Sequence, residues 1–180
     1  MDEIIQRLDR EHVYKGAIID VYRDKVLIPG GREEYFDFIG HKGAAAVVPV
    51  LPDGRIVMVR QYRNALDRFT IEIPAGGLDH VGEPYIDAAK RELREETGYS
   101  CDDLEPLITV NTTVAFCNEI IPIYVAFIKG ERKEQELDDD EFVNVEYFTI
   151  DELMDKIYKM EITDSKTIAS LMAYKNKYVK

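Results

Sequence analysis

The chain has 180 residues, which is enough for one domain with a full hydrophobic core plus a small appendage. Hydrophobic residues make up 46% and charged residues 32% of the sequence, and this ordinary globular composition excludes an intrinsically disordered chain. The net charge of -12 excludes non-specific binding to nucleic acid or to an anionic membrane surface, because both require a basic patch. The first residues lack the regions of a secretory signal, and no apolar run reaches transmembrane length, so we expect a cytoplasmic protein.

The cysteines and histidines do not have the spacing of a metal site. Cys101 and Cys117 lack the pairing of a zinc knuckle or a redox dithiol, so we predict free, partly buried thiols. The three histidines, His12, His41 and His80, are scattered and show no i, i+4 pairing. The sequence therefore predicts no metal site built on histidine or cysteine.

The N-terminal segment predicts a small antiparallel sheet. Between Glu11 and His41, β-branched and aromatic residues cluster in two patches that the turn-like Pro29–Gly31 separates. Such a segment is too short to bury both of its faces alone. We therefore predict that residues 1–42 form a dimerisation element, that residues 43–180 form the main domain, and that the protein is a homodimer.

A second, larger sheet is predicted after residue 43. Ala44–Leu51 and Arg55–Arg63 have the composition of strands and flank the hairpin turn signal Pro52–Gly54. Two C-terminal helices are expected at the end of the chain. The further strands that we predict are Phe69–Ile73, Pro106–Thr113, Ile120–Ile128 and Val143–Phe148.

A glycine-rich loop and a helix interrupt these strands. The loop runs from Pro74 to Glu83, and the helix is predicted over Pro84–Thr97. Proline suits a first helical position, and Gly98 suits the position just past the helix end. One apolar stripe should pack the helix on the sheet, and it consists of Ile86, Ala89 and Leu93.

Three glutamates crowd one edge of this helix. Glu92, Glu95 and Glu96 occupy positions i, i+3 and i+4, which are neighbours on a helical surface. Two carboxylates roughly 5.5 Å apart repel by about 3 kcal/mol at an effective dielectric of about 20, more than a surface ion pair returns. A divalent cation reverses this repulsion. Oxygen ligands favour Mg²⁺ over Zn²⁺, and Mg²⁺ commonly shares phosphate oxygens, so we predict phosphoryl chemistry.

Neighbouring residues support such a site. Arg91 lies four residues before Glu95, where it can pair with that carboxylate and hold its orientation. Gly76, Gly77 and Gly82 permit the close backbone approach that a phosphate or metal loop needs. The alternative interpretation is a solvated helix face, because runs of arginine and glutamate on helices are usually exposed.

The spacing of these residues resembles a known family. From Gly77 the sequence continues with five residues, Glu83, seven residues, Arg91-Glu92-Leu93, one residue, Glu95-Glu96, one residue and Gly98. The segment GLDHVGEPYIDAAKRELREETGY matches the Nudix box over its whole span of 23 residues. The resemblance implies an α/β fold of the Nudix type, an α/β/α sandwich with a mixed sheet, beside the small N-terminal antiparallel sheet.

The resemblance also implies a set of metal ligands. The Ala75 carbonyl, Glu92 and Glu96 would bind Mg²⁺, with Mn²⁺ as an alternative ion. Glu95 would share a second ion and keep its pairing with Arg91. The reaction implied is hydrolysis of the pyrophosphate in a nucleoside diphosphate that is linked to another moiety.

Outside the box the chain resembles the ADP-ribose pyrophosphatase branch, through VYKGAIIDVYRDKVLIPGG, VMVRQYR and IEIPAGG. This resemblance implies that the N-terminal sheet is exchanged between two subunits. It also implies that Arg63 or Arg60 contacts substrate phosphate, with ordinary strand-edge charges as the alternative. Further substrate contacts are expected from Glu72, Gly76 and Gly77. The expected reaction is hydrolysis of ADP-ribose to AMP and ribose 5-phosphate.

Two positions depart from the family pattern. Tyr99 stands where the family usually has an aliphatic residue, at a position that packs the helix end. After the box, TTVAFCNE has Val114 and Ala115 where this branch commonly has a Pro-Gly pair. Because a Pro-Gly turn has restricted backbone options that Val-Ala does not share, we expect relaxed specificity beyond the second phosphate. Another ADP-sugar and a dinucleotide therefore stay open as substrates.

The catalytic base is expected outside the box. Glu141 ends the run LDDDE at a strand edge and matches the region where similar enzymes carry the residue that positions or deprotonates water. Glu95 is the alternative base, and a solvent-facing acidic loop is the alternative interpretation of Glu141. Two further functions are considered, a nucleotide sensor and a hydrolase of damaged nucleoside triphosphates. The complete set of box glutamates argues against the sensor, and the triphosphatase would not need the N-terminal sheet.

Overall fold

The computed structural model describes residues 4–138 and 141–179. Outside the described residues lie 1–3 and 180, which are the ends of the predicted ranges 1–42 and 43–180. Residues 139 and 140, in the acidic run, also lie outside them. The chain divides into two compact units. The first consists of the residues up to Gly43 together with Asn111–Ile120, and the second consists of Ala44–Val110 and Ile121–Lys180.

The first unit is built on a three-stranded antiparallel sheet. Its strands β1 (Gln6–Lys15), β2 (Asp20–Ile28) and β3 (Arg32–Gly40) follow one another in the order β1-β2-β3. The turn between β2 and β3 contains Gly30 and Gly31, which both have positive φ angles, 91° and 82°. These angles explain why the predicted turn carries two glycines. The small antiparallel sheet predicted from the sequence is confirmed.

The segment Asn111–Ile120 joins this unit through β3. The Ile39 N–H donates to the Phe116 carbonyl at 2.6 Å, and Ile39 forms a parallel bridge with Cys117. A turn closes the segment, because the Cys117 N–H donates to the Thr113 carbonyl at 3.0 Å. Val114, one of the two residues that replace the usual Pro-Gly pair, is 84% exposed in this turn.

The second unit contains a seven-stranded mixed sheet. Its main path runs in the order β10-β5-β4-β9-β8, while β6 pairs with β5 and β7 pairs with β4. The pair β4 with β9 is parallel, whereas β10, β4 and β6 are each antiparallel to β5. The strands are β4 (Ala44–Val50), β5 (Ile56–Arg63), β6 (Arg68–Glu72), β7 (Ala75–Gly77), β8 (Leu104–Asn111), β9 (Ile120–Phe127) and β10 (Val143–Phe148).

The central strand β4 explains the layered architecture. All seven of its residues are buried, as expected for a strand covered on both faces. Because side chains alternate along a strand, Ala46 and Val48 join one core cluster while Ala45 and Val47 join another. The first cluster includes residues of two C-terminal helices, and the second includes residues of the box helix. The α/β/α sandwich is thereby confirmed.

Three α-helices cover this sheet. They are α1 (Tyr85–Thr97), α2 (Ile150–Tyr158) and α3 (Ser165–Tyr178). The predicted helix was one residue too long, because Pro84 has extended backbone angles and precedes the first helical residue. The predicted glycine-rich loop was also wrong in part, since Ala75–Gly77 pairs with β4 as a short strand. None of the helices in the described ranges is both long and apolar enough to cross a membrane.

Candidate active site

The box helix α1 brings two glutamates into the protein interior. Ala88, Ala89 and Leu93 are fully buried in the core cluster under the helix. Glu92 and Glu96, which lie one helical turn apart, are only 7% and 3% exposed. The strong packing of the apolar stripe therefore forces two carboxylates out of bulk water. Burial of a carboxylate is unfavourable unless a partner compensates its charge.

The short strand β7 lies directly against these carboxylates. The Ala75 N–H donates to Glu96 Oε2 at 2.9 Å. A Cβ atom placed on Gly76 would lie 2.0 Å from Glu92 Oε1, so any side chain there would displace the carboxylate. The glycine of IEIPAGG is therefore needed because a buried carboxylate occupies the space that a side chain would fill.

Arg91 joins the helix to the preceding loop. Its guanidinium donates to Glu92 Oε1 at 2.7 Å and to Glu95 Oε2 at 3.1 Å, so the pairing with Glu95 expected from the sequence is present. It also donates to the Gly77 carbonyl at 2.8 Å and to Glu83 Oε1 at 3.4 Å. Arg91 thus orients two box glutamates and fixes the loop backbone beside them.

The two buried glutamates resist ionisation. Burial raises the pKa of Glu92 to about 7, and the charges of Glu95 and Glu141 add to this effect against the opposing effect of Arg91. Burial also raises the pKa of Glu96 to about 8, reinforced by the charge of Glu92. The carboxylates therefore remain partly protonated near neutral pH unless additional positive charge is supplied.

Glu141 lies within electrostatic reach of both carboxylates, because its charge contributes to the raised pKa of each. Its own carboxylate accepts a hydrogen bond from the Asp138 N–H at 3.3 Å, and its N–H donates to the Asp138 carbonyl at 3.0 Å. The predicted base is therefore held by the backbone of its own loop and lies near the box glutamates.

Glu72 occupies a different kind of buried position. It is 3% exposed, and it accepts two hydrogen bonds of 2.7 Å from Arg63. Thr70 and Lys166 donate two further hydrogen bonds to the same carboxylate. Burial by itself would raise the pKa of Glu72, but the hydrogen bonds and charges of Arg63 and Lys166 lower it to about 2. With both oxygens occupied, the carboxylate serves to orient Arg63.

The expected phosphate-binding arginines lie in different surroundings. Arg63 is held by Glu72, and its guanidinium is close enough to Glu96 for that charge to raise the arginine pKa. Arg60 lies over the Phe69 ring, 4.1 Å from its centroid, and 3.9 Å from Glu146. An odd spacing along β5 directs the two side chains to opposite faces. The structure therefore brings Arg63, but not Arg60, to the carboxylates.

Sequence reasoning missed the residues of α3 that approach this site. Lys166 is buried and donates to Glu72 and, at 2.9 Å, to Asp164. The Thr167 hydroxyl accepts from the Ile73 N–H at 3.0 Å, which attaches the start of α3 to the segment before β7. A capping signal, Asp164 before the helix, was present in the sequence, but nothing local indicated its buried partner.

Mg²⁺ fits the donor set of this site. Glu92, Glu95 and Glu96 supply only oxygen donors, and the pKa values of the two buried members stay raised although Arg91 pairs with Glu92, so further positive charge is needed to offset their burial. Within the described ranges no three His, Cys, Asp or Glu side chains are arranged to hold an ion directly. Arginines and backbone N–H groups occupy the carboxylate oxygens instead. An ion must therefore displace some of these partners or share the carboxylate oxygens with them.

The comparison with known families decides the assignment of this site. The model of the NUDIX domain matches residues 40–171, a range that contains the box, the three glutamates and Glu141. The chain belongs to the Nudix hydrolase family. This membership confirms the family expected from the box.

Several relatives of this Nudix hydrolase have been named. A methanol dehydrogenase activator of Bacillus methanolicus is 40% identical over 164 residues, which cover 89% of this chain and 87% of the relative. An ADP-ribose pyrophosphatase of Bacillus subtilis is 36% identical over 159 residues, covering 88% and 85%. The ADP-ribose pyrophosphatase of Mycobacterium tuberculosis is 34% identical over 169 residues, covering 93% and 82%.

A solved structure supports the fold of the Nudix hydrolase. The crystal structure of an ADP compounds hydrolase matches with a TM-score of 0.81 over 96% of this chain and 92% of that protein. The two sequences are 20% identical, so this likeness concerns the fold alone.

Proposed function

We propose that this Nudix hydrolase cleaves the pyrophosphate of ADP-ribose, with Mg²⁺, to give AMP and ribose 5-phosphate. The observation that carries the proposal is the buried pair Glu92 and Glu96 beside β7, because two buried carboxylates whose charge Arg91 offsets only in part suit a divalent cation. Relatives named ADP-ribose pyrophosphatase at 36% and 34% identity support the choice of substrate.

In this proposal Glu92, Glu96 and the Ala75 carbonyl hold the ion, and Glu95 shares a second one. When bound, Mg²⁺ polarises the pyrophosphate and lowers the pKa of the attacking water. Arg91 keeps Glu92 and Glu95 in place through its hydrogen bonds to both carboxylates. The small residues Gly76 and Gly77 let the pyrophosphate approach the backbone.

The remaining groups act on the water and the phosphates. Glu141 receives the proton of the attacking water, since the Asp138 N–H engages one of its two carboxylate oxygens and the second can face the water. Glu95 is the alternative base, but both of its oxygens already accept from arginines, Arg91 and Arg94. Arg63, fixed by Glu72, neutralises a phosphate oxygen as charge develops.

A substrate panel tests this function. The purified protein is incubated with Mg²⁺ and ADP-ribose, other ADP-sugars, dinucleotides and nucleoside triphosphates, and the products are separated. AMP and ribose 5-phosphate are expected, with Mn²⁺ able to replace Mg²⁺. Release of free pyrophosphate from triphosphates would favour the triphosphatase, and failure on every ADP-linked compound would exclude the proposal.

The same panel tests specificity. Because the exposed turn at Val114 and Ala115 replaces a Pro-Gly pair, we expect ratios of kcat/KM between ADP-ribose and other ADP compounds below about a thousandfold, or roughly 4 kcal/mol. A larger ratio would contradict relaxed specificity. Changing the two residues to Pro-Gly should raise the ratio while the rate on ADP-ribose stays similar.

A second candidate function follows from the relative at 40% identity, whose name is methanol dehydrogenase activator. By this likeness the chain would increase the rate of a methanol dehydrogenase. Adding the purified protein, and its Glu96→Gln variant, to such a dehydrogenase tests the candidate. Activation by the wild type alone would tie this effect to the hydrolytic site.

We also propose that the protein acts in the cytoplasm as a homodimer through its N-terminal sheet. Large apolar side chains of this unit are exposed, and they include Ile4, Leu8, Val13, Ile18, Tyr35 and Phe36. Covering them with a second copy would bury apolar surface at about 25 cal/mol per Å². Light scattering should give twice the chain mass. A monomeric, soluble and fully active protein without residues 1–42 would overturn this proposal.

A further inference from the structure

The C-terminal end of α1 is capped by a distant part of the chain. A helix leaves its last carbonyls without intrahelical partners. Here the carbonyls of four successive residues, Glu95 to Gly98, each accept a hydrogen bond from the segment Arg132–Glu136, which we name the capping segment. The donors are the Glu136 N–H at 3.0 Å, Gln135 Nε2 at 2.6 Å, Arg132 Nε at 2.9 Å and the Lys133 N–H at 2.9 Å.

The backbone of α1 is shaped to receive this segment. Gly98 has a φ angle of 74°, and a Cβ atom there would lie 2.1 Å from the Lys133 carbonyl oxygen. Only glycine accommodates both the left-handed conformation and this close approach. The contact is therefore part of the local architecture of the box helix, whose last residues include two of the glutamates.

Gln135 has a role in this segment that exceeds capping. Its amide nitrogen also donates to the Val143 carbonyl at 3.1 Å, and its amide oxygen accepts from Arg132 Nη2 at 3.1 Å. Both donor hydrogens and the acceptor of the amide are therefore used. One side chain thus connects the backbone of Glu96, in the catalytic helix, to the backbone at the start of β10.

The connection made by Gln135 restrains the loop that carries Glu141. Glu141 lies between Gln135 and Val143 in the sequence. The Gln135 amide therefore joins the two ends of the loop that carries Glu141. The same amide donates to the carbonyl of Glu96, the residue whose carboxylate pKa the charge of Glu141 helps to raise. A loop fixed at two points has fewer conformations than one fixed at a single end. Less conformational entropy is therefore lost when the Glu141 side chain is positioned for the reaction.

We propose that Gln135 is a positioning residue that sets Glu141 relative to the box glutamates. Its amide holds the Glu141 loop at a constant distance from Glu96 while Glu141 accepts the proton of the attacking water. This inference rests on the proposed function, in which Glu141 is the base. It adds a residue outside the Nudix box to the hydrolytic machinery.

The test is a double-mutant cycle with Gln135→Met and Glu141→Gln. Methionine preserves the length of the side chain but removes both donors. Glu134→Met is the matched control, because this exposed side chain makes no hydrogen bond or ion pair with any part of the chain that the structure describes. We expect Gln135→Met to lower kcat roughly tenfold to a hundredfold with KM nearly unchanged, and Glu134→Met to match the wild type.

In the Glu141→Gln background, Gln135→Met should lower kcat by less than about twofold, because the base that it positions is already absent. An equal loss in both backgrounds, or a wild-type kcat for Gln135→Met, would overturn the inference while leaving the proposed function intact. Full activity of Glu141→Gln would overturn both the base assignment and the positioning role.

Hydrogen exchange supplies a readout that does not depend on turnover. Gln135→Met should increase exchange at the amides of residues 136–138 and 141–143, and Glu134→Met should not. Melting temperatures of both variants control for unfolding. If the wild type hydrolysed no ADP compound, the proposed function would fail, and exchange would still decide whether Gln135 holds the loop. Unchanged exchange in Gln135→Met would overturn this role.

Discussion

Glu72 and Glu96 are equally buried, each 3% exposed, yet their pKa values are shifted in opposite directions from the ordinary value. Burial would raise the pKa of Glu72, but the hydrogen bonds and charges of Arg63 and Lys166 lower it to about 2, and Thr70 donates a further hydrogen bond. Glu96 accepts a backbone hydrogen bond from Ala75 and faces another carboxylate, and its pKa is raised to about 8. Burial alone therefore does not determine the charge of a glutamate; its partners do.

The charge of Glu72 stabilises the fold, whereas the charges of the α1 glutamates are proposed to bind an ion. The Glu72 network is complete and joins β6 to α3. The glutamates of α1 are held in an energetically unfavourable state by the packing of their helix, as is common where a ligand completes a site. Substitutions in the two regions should consequently have opposite effects on stability.

The largest effect is expected for Glu92→Gln and Glu96→Gln. Each removes an ion ligand, so kcat should fall by roughly a thousandfold, about 4 kcal/mol. In EDTA the melting temperature should rise or stay level, because a buried charge is removed. Steady-state kinetics with Mg²⁺ and thermal melts without it provide the two measurements.

The exposed Glu131→Gln variant is the control and should match the wild type in both measurements. Adding Mg²⁺ should raise the melting temperature of the wild type but not of Glu96→Gln. Near wild-type turnover by either box variant at saturating Mg²⁺ would show that the ligand assignment is wrong.

Glu72→Gln should have the opposite effect on stability. It leaves the buried Lys166 and the half-exposed Arg63 beside a neutral amide, and breaking such a network costs about 3 kcal/mol. Urea unfolding should show the loss in the presence and absence of Mg²⁺. Asp53→Asn, in an exposed ion pair with Arg55, is the control and should keep the wild-type midpoint. An unchanged midpoint for Glu72→Gln would contradict the opposite stability effects expected for Glu72 and for the glutamates of α1.

Gly76→Ala should affect function more than stability. The three atoms nearest to the added methyl group all belong to the Glu92 carboxylate, the end of a side chain that can move. We expect the apparent Mg²⁺ affinity to weaken roughly tenfold, as for groups that orient metal ligands, while the urea midpoint stays similar. Kinetic titration with Mg²⁺ measures this effect. A large loss of stability instead would mean that β7 cannot adjust.

The pH dependence of stability provides the subtlest contrast. Glu92 and Glu96 have folded pKa values of about 7 and 8 against an ordinary value of 4.5, so the folded state binds more protons in this range. Without metal, the free energy of unfolding should fall as pH rises from 4.5 to 8, by at most about 1.4 kcal/mol per pH unit for each group.

Glu72 contributes no slope in that range. Its pKa is lowered to about 2, so its stabilisation is complete above pH 4.5 and is lost as the pH falls toward 2. Urea unfolding in EDTA between pH 5.5 and 8 measures the difference. The slope should be shallower in Glu96→Gln and unchanged in Glu72→Gln; equal slopes in wild type and Glu96→Gln would contradict the raised pKa.

The box and the layered fold could be predicted because their signals are local. The spacing of Glu92, Glu95 and Glu96 places them on one helix edge, and Arg91 pairs with Glu95 as helical geometry requires. The burial of all seven residues of β4 follows from a strand with two covered faces. Residues close in sequence determine each of these features.

The missed residues depend on contacts between distant parts of the chain. Lys166 and Glu72, and likewise Gln135 and Glu96, meet only after the sheet has formed. A lysine at the start of a helix and a glutamine in an acidic loop have no local feature that distinguishes them from surface residues. The short strand β7 was missed for the same reason, because its partner is β4.

The parallel pairing of β4 with β9 has a consequence for biosynthesis. On the ribosome, the box helix emerges before β9, whose Ala126 shares a core cluster with Ala89 and Leu93. A nascent chain that ends before Ile120 carries the whole box but leaves that cluster open, and such exposed apolar surface attracts chaperones or aggregates. An intact family signature in a truncated gene product therefore does not indicate a folded enzyme.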